Sequence, residues 1–181
     1  MGNDLLVGST GFVGGNLRES HDFAAACHSS DVAEYYDARP DLCVYAGVPA
    51  AMFLANADPE ADLAVMRAAR ENLRRIAPKE VVLVSSIAVY ADSRGRDEGD
   101  EPGTEGLSAY GRNRLQLEHW VREDFPDARR ELAYRHGRGL FAGKGEGLSV
   151  DALAEELKTR GLLDADADSS KLVGKLKEME R

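Results

Sequence analysis

Apolar residues recur along the first two thirds of the chain in short runs, separated by longer stretches in which they return every three or four positions. The short runs read as strands covered on both faces, and the longer stretches as helices with one apolar stripe. Such alternation is the pattern of βαβ units feeding a parallel sheet. Strands are predicted at 4–7, 23–28, 42–45, 81–85 and 131–134, and helices over about 12–20, 31–38, 58–76 and 108–124.

Local signals sharpen these limits. Pro40 ends the second helix, and Asp58 before Pro59 starts the third, with a capping carboxylate and a proline where its missing N–H costs nothing. Within that helix Leu63, Met66, Ala69, Leu73 and Ile76 form the apolar stripe, while Arg67, Arg70, Glu71 and Arg74 face water. Residues 91–106, rich in Asp, Glu and Gly, read as an exposed loop or lid. A glycine-rich basic loop is expected at 135–147, and amphipathic helices near 150–160 and 170–179. The chain then divides into an α/β domain at 1–148 and a short helical appendage at 149–181.

With 181 residues, 43% of them hydrophobic and 30% charged, one sizeable core is expected. A formal net charge of −9 repels duplexes and anionic membranes, so neither nucleic acid nor membrane is an expected partner. No apolar run approaches the roughly 20 residues that span a bilayer. The N-terminus, MGNDLLVGST, carries an acid where a secretory signal is basic, which points to a cytoplasmic chain. Cys27 and Cys43 sit in apolar runs and are expected to be free, packed thiols. His21, His28, His119 and His136 are scattered without ligand spacing, so no metal site is expected.

The chemistry concentrates after the first strand, where Gly8, Ser9, Thr10, Gly11, Phe12, Val13 and Gly14 spell GxxGxxG at the mouth of a helix. In that context the first glycine permits a tight turn and the second lets backbone approach a pyrophosphate. The third lets helix and strand pack closely, and the helix N-terminus faces the phosphates. Outside that context the same glycines are a plain turn. Gly143-Lys144 does not make a phosphate loop, because Arg138 and Gly145 stand where that motif needs glycine and Ser or Thr.

The segment VGSTGFVGGNL resembles the opening of the extended short-chain dehydrogenase/reductase family, which includes nucleotide-sugar epimerases and dTDP-4-dehydrorhamnose reductases. Tyr45-Ala46-Gly47-Val48 stands where that family has an Asn-Ala-Ala or Asn-Ala-Gly turn, and 82–90 is similar to its fourth-strand block. Tyr110-Gly-Arg-Asn-Arg114 resembles its YxxxK signature, and the blocks occur in the family's order across about residues 1–145.

The resemblance implies a Rossmann-type doubly wound parallel sheet flanked by helices, holding NAD or NADP. It places cofactor contacts at Gly8, Ser9, Thr10, Gly11, Phe12, Val13, Gly14, Asp31, Ala46, Gly47, Val48, Ser85, Tyr110 and Arg114. It also implies Tyr110 as acid/base, Ser86 as the hydroxyl on the same substrate oxygen, and Arg114 in the lysine's role at the nicotinamide ribose. Four residues apart on a helix, Tyr110 and Arg114 share a face, and a cation beside a phenol favours phenolate. Arginine grips a ribose diol differently from an ammonium group and does not release a proton. Unexceptional readings stand beside these: Tyr110 as a helix-start tyrosine bonded to backbone, and Ser85 and Ser86 as strand-end hydroxyls.

Two further features bear on the reaction. Ile87 and Ala88 stand where the family's dehydratases carry an acidic pair, which disfavours dehydration. Asp31 lies at nearly the distance from Gly8, about 20 residues, at which a carboxylate meets the adenosine ribose, and this leans the cofactor to NAD. It could equally cap the next helix. Extended members are markedly longer, so a small substrate, a shared site or a remnant chain are the alternatives.

The expected function is an NAD(P)-dependent oxidoreductase or epimerase acting on a sugar-nucleotide-like or other carbonyl substrate, phosphorylated or nucleotide-linked. A non-catalytic dinucleotide sensor and a truncated inactive relative are the competing readings, and homo-oligomerisation is left open.

Overall fold

The computed structural model describes residues 3–133. Five strands, β1 (Asp4–Val7), β2 (Ala25–Cys27), β3 (Leu42–Tyr45), β4 (Glu80–Ser86) and β5 (Arg129–Ala133), form one sheet in the order β2-β1-β3-β4-β5. Every neighbouring pair is parallel. Helices α1 (Phe12–Ser20), α2 (Met52–Ala57), α3 (Pro59–Ile76) and α4 (Ala109–Asp124) lie in the β1–β2, β3–β4 and β4–β5 connections.

The strands alternate between two cores, as a period of two requires. Leu5, Val7, Cys43, Tyr45, Val81 and Leu83 pack with Met66, Ala69, Leu73 and Ile76 of α3 and with Leu117 and Val121 of α4. Leu6, Leu42, Val44 and Val82 face the other way, onto Leu17 of α1. Helices therefore cover both faces, and the sheet is the expected doubly wound one. Met66, Leu73 and Ile76 are fully buried, each contributing roughly 1.5–3 kcal/mol by leaving water.

Caps follow the sequence signals. Asp58 accepts the N–H of Ala61 at 3.0 Å to start α3, and Ser108 accepts that of Gly111 at 3.1 Å to start α4. Cys27 and Cys43 are free and buried.

Three expectations are corrected. The helix expected at 31–38 is only a 3-10 turn, Val32–Tyr35. Asp37 and Arg39 take positive φ, and their N–H groups bond to Arg75 O (2.6 Å) and Ile76 O (3.0 Å) at the end of α3. Those tertiary bonds replace the helical ones. β2 is shorter than 23–28 because the Ala24 N–H is taken by the Asp4 carboxylate at 2.7 Å rather than by a neighbouring strand. Helix α2 was not expected at all; its Met52, Phe53 and Leu54 are exposed, so no apolar stripe marks it. Tyr134, the loop at 135–147, the helices near 150–160 and 170–179, and the division at 148/149 lie outside the described residues.

Candidate functional site

Strand order reverses between β1 and β3, since β1 is followed by β2 on one side and by β3 on the other. In open α/β sheets the crevice beyond the strand C-termini at such a switch point is where ligands bind. The turns following β1 and β3 meet there. A Cβ on Gly8, whose φ is +87°, would lie 2.6 Å from the carbonyl of Ala46 and the nitrogen of Gly47. One on Gly14 would lie 2.1 Å from Gly8 O. Both glycines are demanded by the fold itself.

Gly11 differs. Among the described residues nothing but Gly8 O, at 3.4 Å, would approach its Cβ, and the residue is exposed. It caps α1 without a side-chain hydrogen bond, and no acidic residue stands in the first turn. Among the described residues the first-turn N–H groups thus have no side-chain acceptor to offset their partial positive charge. This backbone fits the pyrophosphate of a dinucleotide. Gly8 N and Ser9 N hold the turn by donating to Cys27 O at 2.9 and 3.0 Å. Ser9 is buried, Thr10 and Phe12 are exposed, and Val13 packs into the α1-side core.

The 46–48 turn is half-buried and tied to β1 by Ala46 N, which donates to Val7 O at 2.9 Å. Val48 packs on the larger core. A Cβ on Gly47 would lie 3.2 Å from Ser29 Cβ, so the turn after β2 joins the same rim. There Asp31 is exposed and accepts from Ser30 Oγ at 2.7 Å. Its side chain does not cap the 3-10 turn that follows, so its carboxylate stays on the rim.

Two other titratable groups at this edge are held neutral. Burial, reinforced by Asp31 and Glu34, pushes the Cys27 thiol up to about 11. Burial likewise pushes the Tyr45 phenol up to about 12, against the opposing hydrogen bond from Asn72.

The second half of the site lies where β4 meets α4. Ser86 ends β4, half-buried, and its Oγ accepts the Ala88 N–H at 3.2 Å, opening a 3-10 turn over Ile87–Val89. That turn abuts the start of α4 so closely that a Cβ on Gly111 would lie 2.2 Å from Ala88 O. The backbone segments that carry Ser86 and Tyr110 are thereby brought together. Tyr110 is 5% exposed, its N–H donates to Asn56 Oδ1 of α2 at 2.9 Å, and among the described residues its hydroxyl has no hydrogen-bond partner.

Arg114 lies one helical turn on and is 3% exposed. Its guanidinium carbon sits 4.2 Å from the Tyr110 ring centroid. Nη1 donates to Asp62 Oδ2 at 2.8 Å and approaches Met66 Sδ at 3.3 Å; Nη2 donates to Asp62 Oδ1 at 3.0 Å and to Pro49 O at 2.7 Å. Asn113 adds a bond to the same carboxylate at 2.9 Å. Ser85, expected to line the cofactor, turns its hydroxyl onto the buried Glu118 of α4.

Asp62, Asn56 and Glu118 are thus site neighbours that sequence reasoning missed. Asp62 reads in the sequence as a first-turn acid favourable to its own helix, and nothing local announces partners more than 50 positions away.

No protein-family model and no curated protein matches the chain. Solved structures do. A dTDP-4-dehydrorhamnose reductase ortholog from Clostridium acetobutylicum superposes with a TM-score of 0.60 at 16% identity, covering 86% of this chain and 59% of the other. The dTDP-4-dehydrorhamnose reductase of Bacillus anthracis, in complex with NADP, gives 0.57 at 14%, covering 71% and 52%. The UDP-glucose-4-epimerase of Stenotrophomonas maltophila, with bound NAD and a formylated UDP-arabinopyranose, gives 0.57 at 12%, covering 90% and 63%.

At these identities the likeness establishes the fold, that of the nicotinamide-dependent reductases and epimerases whose motifs the sequence resembles. The chain spans less than two thirds of each of these relatives.

Proposed function

We propose that the chain is an NAD(P)-dependent oxidoreductase or epimerase acting on a carbonyl or hydroxyl group of a nucleotide-linked, sugar-like small molecule. The observation that carries this reading is the convergence at the switch point. Gly8 presses against Ala46 and Gly47, and among the described residues the Gly11 face and the uncapped start of α1 are left open. The Pro49 carbonyl links the same rim through Arg114 to Tyr110.

The dinucleotide's phosphates would meet the N–H groups at Phe12 and Val13, with Ala46, Gly47 and Val48 beside them. The exposed Asp31 carboxylate would accept from ribose hydroxyls and repel a 2′-phosphate, favouring NAD over NADP. A bound nicotinamide supplies hydride transfer. The protein's own work is to move the accompanying proton and orient the reacting oxygen. Tyr110 is the proton carrier, its hydroxyl uncommitted to described neighbours. Ser86 is the second hydroxyl, and the Arg114 guanidinium lies over the ring of that phenol.

Nicotinamide absorbance with nucleotide-linked 4-keto sugars tests the reading. Tyr110→Phe is expected to lower turnover by roughly 10²–10⁴-fold, the usual scale for a general acid/base. Equal turnover by wild type and Tyr110→Phe contradicts it.

A further inference from the structure

The guanidinium of Arg114 has four terminal hydrogens, and the structure gives all four a neighbour: two on Asp62, one on Pro49 O and one on the Met66 sulfur. The pair is deeply enclosed, with side-chain exposures of 4% for Arg114 and 10% for Asp62. A bidentate carboxylate fixes both the plane and the rotation of a guanidinium. Here the guanidinium carbon lies over the Tyr110 ring, 4.2 Å from its centroid, while the second nitrogen reaches the carbonyl that follows the 46–48 turn.

We propose that Asp62 is a positioning residue for Tyr110. It aims Arg114 so that the guanidinium binds the Tyr110 ring and the Pro49 carbonyl together, making Arg114 a coupling between the 46–48 turn and the phenol instead of a ribose ligand. Three elements meet in this lock: α3 supplies Asp62, α4 supplies Tyr110 and Arg114, and the segment after β3 supplies Pro49. Asn113 steadies the carboxylate from the α4 side and also donates to Pro59 O at 2.9 Å. A ligand pressing on the 46–48 turn therefore displaces a hydrogen-bonded partner of the group lying on Tyr110.

The catalytic importance of this coupling rests on the proposed role of Tyr110, but the geometry is testable without cofactor or substrate. The full chain labelled with 3-fluorotyrosine reports on the ring by fluorine NMR, with the Tyr110 signal identified by its loss in Tyr110→Phe. Asp62→Asn is expected to displace that signal, and Asp62→Glu, which restores a carboxylate, to bring it back towards the wild-type position. Leu73→Ala, which weakens α3 away from the pair, should leave it in place.

If Asp62→Asn does not fold, Asn113→Ala, which removes a donor to the Asp62 carboxylate and keeps Arg114 in place, is expected to displace the signal in the same direction by a smaller amount. A Tyr110 signal unmoved in the variant that folds, with thermal stability alone reduced, overturns the proposal. Adding NAD or NADP to the labelled wild type then tests the functional reading separately. Failure of any dinucleotide to bind sinks that reading, while the unliganded spectra still decide the role of Asp62.

Discussion

Gly14 stands with its α-carbon turned into the carbonyl of Gly8, so close that a methyl group there would lie 2.1 Å from the oxygen. Gly11, three residues earlier, would bring its methyl no nearer than 3.4 Å to Gly8 O, its nearest neighbour among the described residues. Gly14→Ala is therefore expected to destabilise by at least the roughly 1–3 kcal/mol typical of overpacking, and Gly11→Ala to leave the melting temperature within about 2 °C of wild type, a shift of under 1 kcal/mol. Thermal denaturation of the two variants side by side checks the contrast. Equal loss of stability would mean that Gly11 is as structural as Gly14.

Asp62 leaves a buried cation behind when it is removed. Truncating one partner of a buried ion pair costs about 3–5 kcal/mol, and Asp62→Ala is expected within that range by urea denaturation. The same substitution at the exposed Asp92–Arg94 pair should have no measurable effect, since both side chains are largely in water.

The pH dependence of stability has an identifiable contributor in Asp124. Its hydrogen bonds from Arg70, at 2.6 and 2.9 Å, hold the carboxyl below the usual carboxylate range, aided by the charges of Arg70 and Arg74. A carboxyl lowered in the folded state contributes fully above its unfolded pKa, about 3.9, and loses that contribution as pH falls through the folded value. Asp124→Asn is thus expected to lower stability at pH 7 by about 0.5–1 kcal/mol, given partial exposure of the pair. The difference from wild type should shrink below about pH 4. A difference constant from pH 7 to pH 3 would contradict this account.

How much of this was legible beforehand depended on the range of the forces involved. Helix α3 was readable because Asp58, Pro59 and the Met66–Leu73–Ile76 stripe act within a few residues of one another. The glycine turn was readable because Gly8 and Gly14 answer to a strand and helix adjacent in sequence. The segment at 31–38 misled because its helical propensity is overridden by bonds to Arg75 O and Ile76 O, which no local pattern records. The four-residue spacing of Tyr110 and Arg114 puts them on one helix face, but the engagement of Arg114 with Asp62 and Pro49 depends on two distant segments arriving together. Likewise the buried contact of Ser85 with Glu118 could not be read from a strand-end serine.

Ala77 ends α3 in the left-handed region, at φ 55° and ψ 50°, where a side chain is strained and glycine is not. Ala77→Gly is expected to stabilise the protein by about 0.5–1 kcal/mol, the left-handed strain of about 1–2 kcal/mol less the extra unfolded-state entropy of glycine. Chemical denaturation reads this directly, and a loss of stability would show that the Ala77 methyl makes a compensating contact.

The central claim is that the rim formed by Gly11 and the 46–48 turn holds a nicotinamide dinucleotide, and calorimetric titration with NAD, NADH, NADP and NADPH tests it most directly. Wild type is expected to bind at least one of the four in the micromolar range, with the NAD forms ahead. Gly11→Val, folded by circular dichroism, should lose that binding because its side chain occupies the open face above the first turn of α1. Absence of binding by any of the four, or undiminished binding by Gly11→Val, would contradict the account.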